Sequence, residues 1–101
     1  MSEEKSIREW DWWGFSTIVA KHIANYTIPQ YGDAPDDQIE GWTHEECVRA
    51  IGKRAARHSS NARGRIETLR DLVKIAHEAQ LAFDKMRPTN EEIEAIKKGT
   101  R

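Results

Sequence analysis

The stretch from Thr43 to Met86, THEECVRAIGKRAARHSSNARGRIETLRDLVKIAHEAQLAFDKM, decides the fold. Its first four residues, Thr43-His44-Glu45-Glu46, form a capping box, in which the Thr hydroxyl takes the third amide of a helix and Glu46 reaches back to the cap amide. Cys47, Val48, Ile51 and Ala55 then recur at helical spacing, which predicts a helix over 43–58 with those four side chains inward. Ser59-Ser60-Asn61 and Arg63-Gly64 break the pattern. Beyond them Ile66, Leu69, Leu72, Val73, Ile75, Ala76, Ala79, Phe83 and Met86 predict a long helix over 65–87. A short connection between two amphipathic helices makes a helical hairpin.

The flanks extend the same architecture. Ser6-Ile7-Arg8-Glu9 is a second capping box and starts a helix over 6–26. Ile7, Trp10 and Trp13 lie on one line of it, and Trp12, Phe15, Val19, Ile23 and Tyr26 on another. Gly14 interrupts this run at a cost of about 1 kcal/mol relative to Ala and is a point where the helix can shorten. Pro29, Gly32, Pro35 and Gly41 predict a long loop over 27–42, held on the core by Ile28, Tyr31, Ile39 and Trp42, with a short strand at Ile28 to Tyr31 as the alternative. Pro88 stops the long helix, and Thr89-Asn90-Glu91-Glu92 opens a short one over 89–98, ended by Gly99. The reading is a single all-α domain over 1–101. It has three to four amphipathic helices, a central helical hairpin, and a core rich in Trp, Ile and Leu.

Composition bounds the function. With 101 residues there is room for one core, and four Trp place the chain among folded proteins although 33% of it is charged. A lone Cys47 excludes an intrachain disulfide and a CxxC metal pair, which suits a reducing compartment, so we expect the cytoplasm. No apolar run is long enough for a membrane span, and Met-Ser-Glu-Glu-Lys lacks the pattern of a secretory leader.

The net charge of -1 conceals a dipole. Residues 33–46 hold six acids and no Lys or Arg, while residues 49–70 hold seven bases against Glu67 alone. Arg49, Lys53 and Arg57 follow at i, i+4 and i+8 and so rise from one helix face, with Arg54 and His58 beside them. Asn61, Arg63 and Arg65 in the following turn add an amide and two guanidiniums at the N-terminus of the next helix, where free amides favour anions. Arg suits phosphate because its planar fork binds two oxygens at once. A phosphorylated small molecule or nucleotide held by Arg49, Lys53, Arg57, His58, Asn61, Arg63 and Arg65 is therefore the leading expectation. The alternative is a solvated face neutralised by the acidic loop. Nucleic acid is disfavoured by the negative total charge and the neighbouring acids.

Asp71, Lys74 and Glu78 share one side of the long helix. They form either a polar site, which with a divalent ion would make the chain a metal-dependent nucleotide-processing enzyme, or a surface set in which both acids pair with Lys74. The four histidines show no metal-ligand spacing, and no phosphate loop or nucleophile motif is present, so we expect binding rather than conversion, with no metal and no cofactor. Trp10 and Trp13 lie nearly together and Trp12 is rotated away, so a helix lying on a core cannot bury all three. That predicts an interface at Trp10, Trp12 and Trp13, used for self-association or for a partner protein.

The run Asn61-Ala-Arg-Gly to Leu69-Arg-Asp-Leu-Val-Lys-Ile-Ala-His77, preceded by Tyr31-Gly-Asp33 and a basic helix, resembles small helical proteins of tailed bacteriophages. Residues 42–86 are also distantly similar to the helical segment of T7-type phage nucleotide kinases. In that likeness Lys53, Arg54, Arg57 and His58 match a basic helix, and Leu69, Asp71, Leu72, Lys74 and Ala76 match the run that follows it. The resemblance implies either a nucleotide-binding protein or a phage-encoded module that inhibits a host or defence protein. The rest of such a kinase is missing from this chain. All-α nucleotide pyrophosphatases need ExxE on one helix and ExxD on the next, and Glu91-Glu-Ile-Glu94 has no ExxD after it.

Overall fold

A computed structural model describes residues 6–32, 41–58, 60 and 63–99, among which the regular structure is all helical, with no strand. The elements are α1 (Ile7–His22), a π-helical turn (Ile23–Thr27), α2 (Ile28–Tyr31), α3 (His44–His58), α4 (Arg65–Lys85) and α5 (Asn90–Lys97). All three capping boxes form. The amides of Glu9, Glu46 and Glu92 donate to the hydroxyls of Ser6, Thr43 and Thr89, and the three carboxylates accept from the cap amides in return.

Gly14 does not shorten α1, and the chain stays helical past Tyr26. Residues 27–31 of the expected loop are therefore helical, and Ile28 to Tyr31 is a helical turn instead of a strand. Pro29 supplies the physical reason for the π turn. A proline ring inside a helix collides with the carbonyl four residues earlier, here that of Asn25. The wider turn, in which the Ile28 amide donates to the Ile23 carbonyl, carries the backbone past that obstacle. Gly32, at φ 92°, then ends the helix in a conformation that side chains with a Cβ rarely adopt. Of the acidic group, residues 33–40 lie outside the described residues.

α3 and α4 pack as the expected hairpin, turning through Gly64, also at φ 92°, which caps α4 without a side-chain bond. The faces in contact differ from those the apolar pattern predicts. On α3, Cys47 is fully buried and Ala50, Ile51 and Arg54 are partly so, whereas Val48 and Ala55 stand exposed. On α4 the buried side chains are Asp71, Val73, Glu78 and Ala82, while Ile66, Leu69, Leu72, Phe83 and Met86 lie on the surface. α3 is thus rotated relative to its apolar stripe, with Arg54 turned toward the acids of α4 and Val48 and Ala55 left outside. His44 secures the other end of the hairpin, its Nδ1 donating to the Ala82 carbonyl at 3.3 Å.

α1 meets α4 through its C-terminal half. His22 and Tyr26 stack with ring centroids 5.0 Å apart, and the Lys74 ammonium sits 4.9 Å from the centre of the Tyr26 ring. Every residue from Ile7 to Gly14 is exposed, and α1 as a whole has no buried residue. No helix among the described residues is long and apolar enough to cross a membrane.

Candidate functional site

The basic residues of the hairpin divide into those that are already committed and those that are not. Arg57 donates from Nε to Asp71 Oδ2 at 3.0 Å and from Nη2 to Asp71 Oδ1 at 2.7 Å, a bidentate fork. Arg54 donates from Nε to both carboxylate oxygens of Glu78 at 2.9 Å. Its Nη2 lies 2.7 Å from Glu78 Oε2 and its Nη1 3.7 Å from Asp71 Oδ1. Arg63 reaches Glu67 at 3.0 Å, and Arg70 pairs with the same carboxylate. The expectation that Arg57 and Arg63 stand free for a ligand is therefore corrected. Antiparallel helices bring Arg54 and Arg57, three apart on α3, opposite Asp71 and Glu78, seven apart on α4, and buried acids capture the nearest guanidiniums.

The same network overturns the pairing of Asp71 and Glu78 with Lys74. Both acids are buried, at 4% and 7% exposure, and face α3, whereas Lys74 turns toward Tyr26. The hydrogen bonds from Arg57, with the nearby charges of Arg57, Arg54 and Arg63, hold the Asp71 carboxyl below its ordinary 3.8 in spite of burial, and the same bond raises Arg57. Asp71 is thus an ionised structural anion. Among the described residues no group of three or more His, Cys, Asp or Glu is placed to hold a metal ion. Burial raises the Cys47 thiol above its usual range, with Glu78 and Glu46 adding to the effect against Lys85, so it is an inert core group.

What is left of the basic stripe lines a groove of about 360 Å³ along α3, walled by Trp42, Glu46, Arg49, Ala50, Lys53, Arg54 and Arg57. Arg49 and Lys53 are exposed and form no ion pair with another described residue. The structure therefore gathers Arg49, Lys53 and Arg57 in one groove and adds Trp42 and Arg54. His58, Arg63 and Arg65 are exposed and do not line it, and Asn61 lies outside the described residues. Glu46, together with the carboxylates behind Arg54 and Arg57, offsets most of the positive charge there.

The second candidate is the indole cluster. Trp10, Trp12 and Trp13 are 61%, 58% and 53% exposed, and Trp12 leans edge-on against Phe15 with centroids 5.7 Å apart. The chain matches none of the protein families, curated proteins or solved structures with which it was compared. An exposed turn-and-a-half carrying three indoles costs solvation that a docking partner would recover, at about 25 cal/mol for each Å² of apolar surface covered.

Proposed function

We propose that this chain is a non-catalytic protein-interaction module that docks the N-terminal half of α1 onto a partner protein, in the manner of a phage-encoded inhibitor of a host or defence protein. One observation carries the reading: from Ile7 to Gly14 nothing is buried, yet the segment holds three of the four Trp of the chain. A helix presenting aromatic anchors is a recurrent way of filling an apolar groove, and indoles dominate the energy of such interfaces. The resemblance of the hairpin to small tailed-phage proteins fits a host target. In a pull-down from host lysate the wild-type chain should retain a defined protein that Trp12→Ala retains about tenfold less and Trp10→Ser/Trp12→Ser/Trp13→Ser not at all. Equal recovery by all three chains would end this reading.

A second reading has its own support in the groove on α3. Trp42 offers a stacking face, and Arg49 and Lys53 offer two uncommitted charges, enough for one phosphoryl group of a nucleotide or similar phosphorylated molecule. A thermal-shift series with mono-, di- and cyclic nucleotides checks it. A ligand at a hundred times its dissociation constant should stabilise by about 2.7 kcal/mol, and Arg49→Glu/Lys53→Glu should abolish the effect. Shifts that survive that charge reversal would place the ligand elsewhere.

A further inference from the structure

One apolar periodicity of α4 is left uncovered by the folded chain. Leu69, Leu72, Ala76, Ala79, Phe83 and Met86 follow at intervals of three, four, three, four and three, an a/d heptad repeat over almost three heptads. α4 has three faces. Asp71, Glu78 and Ala82 meet α3, and Arg70, Lys74 and His77 lie toward His22 and Tyr26. The heptad seam is the third, and its four large side chains are each more than two-fifths exposed. A seam in 3.5-residue register is the surface onto which another helix packs.

Size order along the seam names the occupant. The series reads large, large, small, small, large, large, and is symmetric about the point between Ala76 and Ala79. Reversing a helix exchanges a positions for d positions, so an antiparallel copy sets Leu69 against the partner's Met86, Leu72 against the partner's Phe83 and Ala76 against the partner's Ala79. Small residues at the midpoint let two backbones approach to the 8 Å end of the usual interaxial range, and large ones fill the ends as the axes diverge. No charged residue occupies a seam position between Leu69 and Met86, so no like charges meet. The seam residues alone make a small contact, so flanking side chains such as the exposed Ile66 must join it to reach the roughly 1,200 Å² at which stable specific interfaces begin. A two-fold contact of this kind closes on itself and needs no other component.

We infer that two copies of this chain pair antiparallel along α4, about a two-fold axis between Ala76 and Ala79. The interface is separate from the exposed Trp surface of α1. Sedimentation velocity on the full chain at about 100 μM tests the pairing, with circular dichroism to confirm that each variant keeps its helices. The wild-type chain should sediment as a dimer of the 11.7 kDa protomer. Leu72→Glu and Phe83→Lys, each placing a charge on a surface position of the monomer, should weaken dimerisation at least a hundredfold. Leu72→Glu/Phe83→Lys should dimerise at least tenfold more tightly than either single variant, because antiparallel pairing faces each introduced carboxylate with an introduced ammonium, whereas parallel pairing would stack like charges. Trp10→Ser/Trp12→Ser/Trp13→Ser should remain dimeric, which separates this interface from the docking surface of α1. A monomeric wild-type chain, single variants that stay dimeric, a double variant weaker than both, or a Trp variant that dissociates would each overturn the inference.

Discussion

Arg54→Ala should cost about 3–5 kcal/mol of folding stability, the range for removing one partner of a buried ion pair, and so bring a small domain close to unfolding at room temperature. The argument rests on what is left behind. All the side-chain hydrogen bonds shown for Glu78 come from Arg54, and Glu78 sits at 7% exposure where water cannot replace them. Asp71 loses its second cation in the same variant. Arg57→Ala should be clearly milder, since Arg57 is 41% exposed and Asp71 still has Arg54 within 3.7 Å. Arg54→Met/Glu78→Met should recover most of the loss, because an apolar pair of similar volume needs no desolvation to be compensated. Guanidinium unfolding curves give the order directly. If Arg54→Ala lost less than about 1 kcal/mol, the polar network would not be what joins α3 to α4.

The contrast between these variants also shows which parts of the fold were legible in the sequence. The capping boxes at Ser6, Thr43 and Thr89 were, because each is decided within four residues by side chains that reach only their own backbone. The hairpin was legible for the same local reason. The rotation of α3 was not. Amphipathic patterning assumes that apolar residues turn inward, and on α3 that rule nominates Val48 and Ala55 over Arg54. Arg54 turns inward, and Arg57 is engaged from the rim, only once Asp71 and Glu78 are set opposite them, a fact about two helices that neither carries alone. The helical continuation through Pro29 was hidden because proline and glycine read as breakers, although proline is compatible with the first turn of a helix. The candidate site suffered twice. Arg57 and Arg63 were readable as basic but not as occupied, and Trp42 joined the groove from outside the stripe. Helical geometry predicts only that one indole face is left over; the structure leaves Trp10, Trp12 and Trp13 all exposed, and its buried apolar side chains among the described residues are Cys47, Val73 and Ala82 in place of the expected Trp, Ile and Leu.

Acidification should loosen the molecule in two steps, the first where α1 joins α4. His22 is lowered below its ordinary 6.5, chiefly by burial and then by Lys74, Arg70 and His77, and its Nε2 is buried with no hydrogen-bond partner among the described residues. His77 is lowered too, chiefly by burial, with Glu78 opposing. Both rings are neutral in the folded state, so the unfolded chain binds more protons near and below pH 6.5, and stability rises with pH through that window. Their contribution is complete above about 6.5 and falls away as pH drops toward the depressed folded values. Protonation would also place positive charge on a ring stacked against Tyr26 and facing Lys74. The second step belongs to Asp71. Its folded value lies below 3.8, so its share is present above 3.8 and is lost only as pH falls through the lower folded value. Urea midpoints measured from about pH 8 to pH 3 should therefore decline once below 6.5 and again below 3.8. His22→Phe/His77→Phe, which keeps rings in both places, should flatten the first decline and leave the second. A first decline that persists in that variant would move its origin away from the α1–α4 joint.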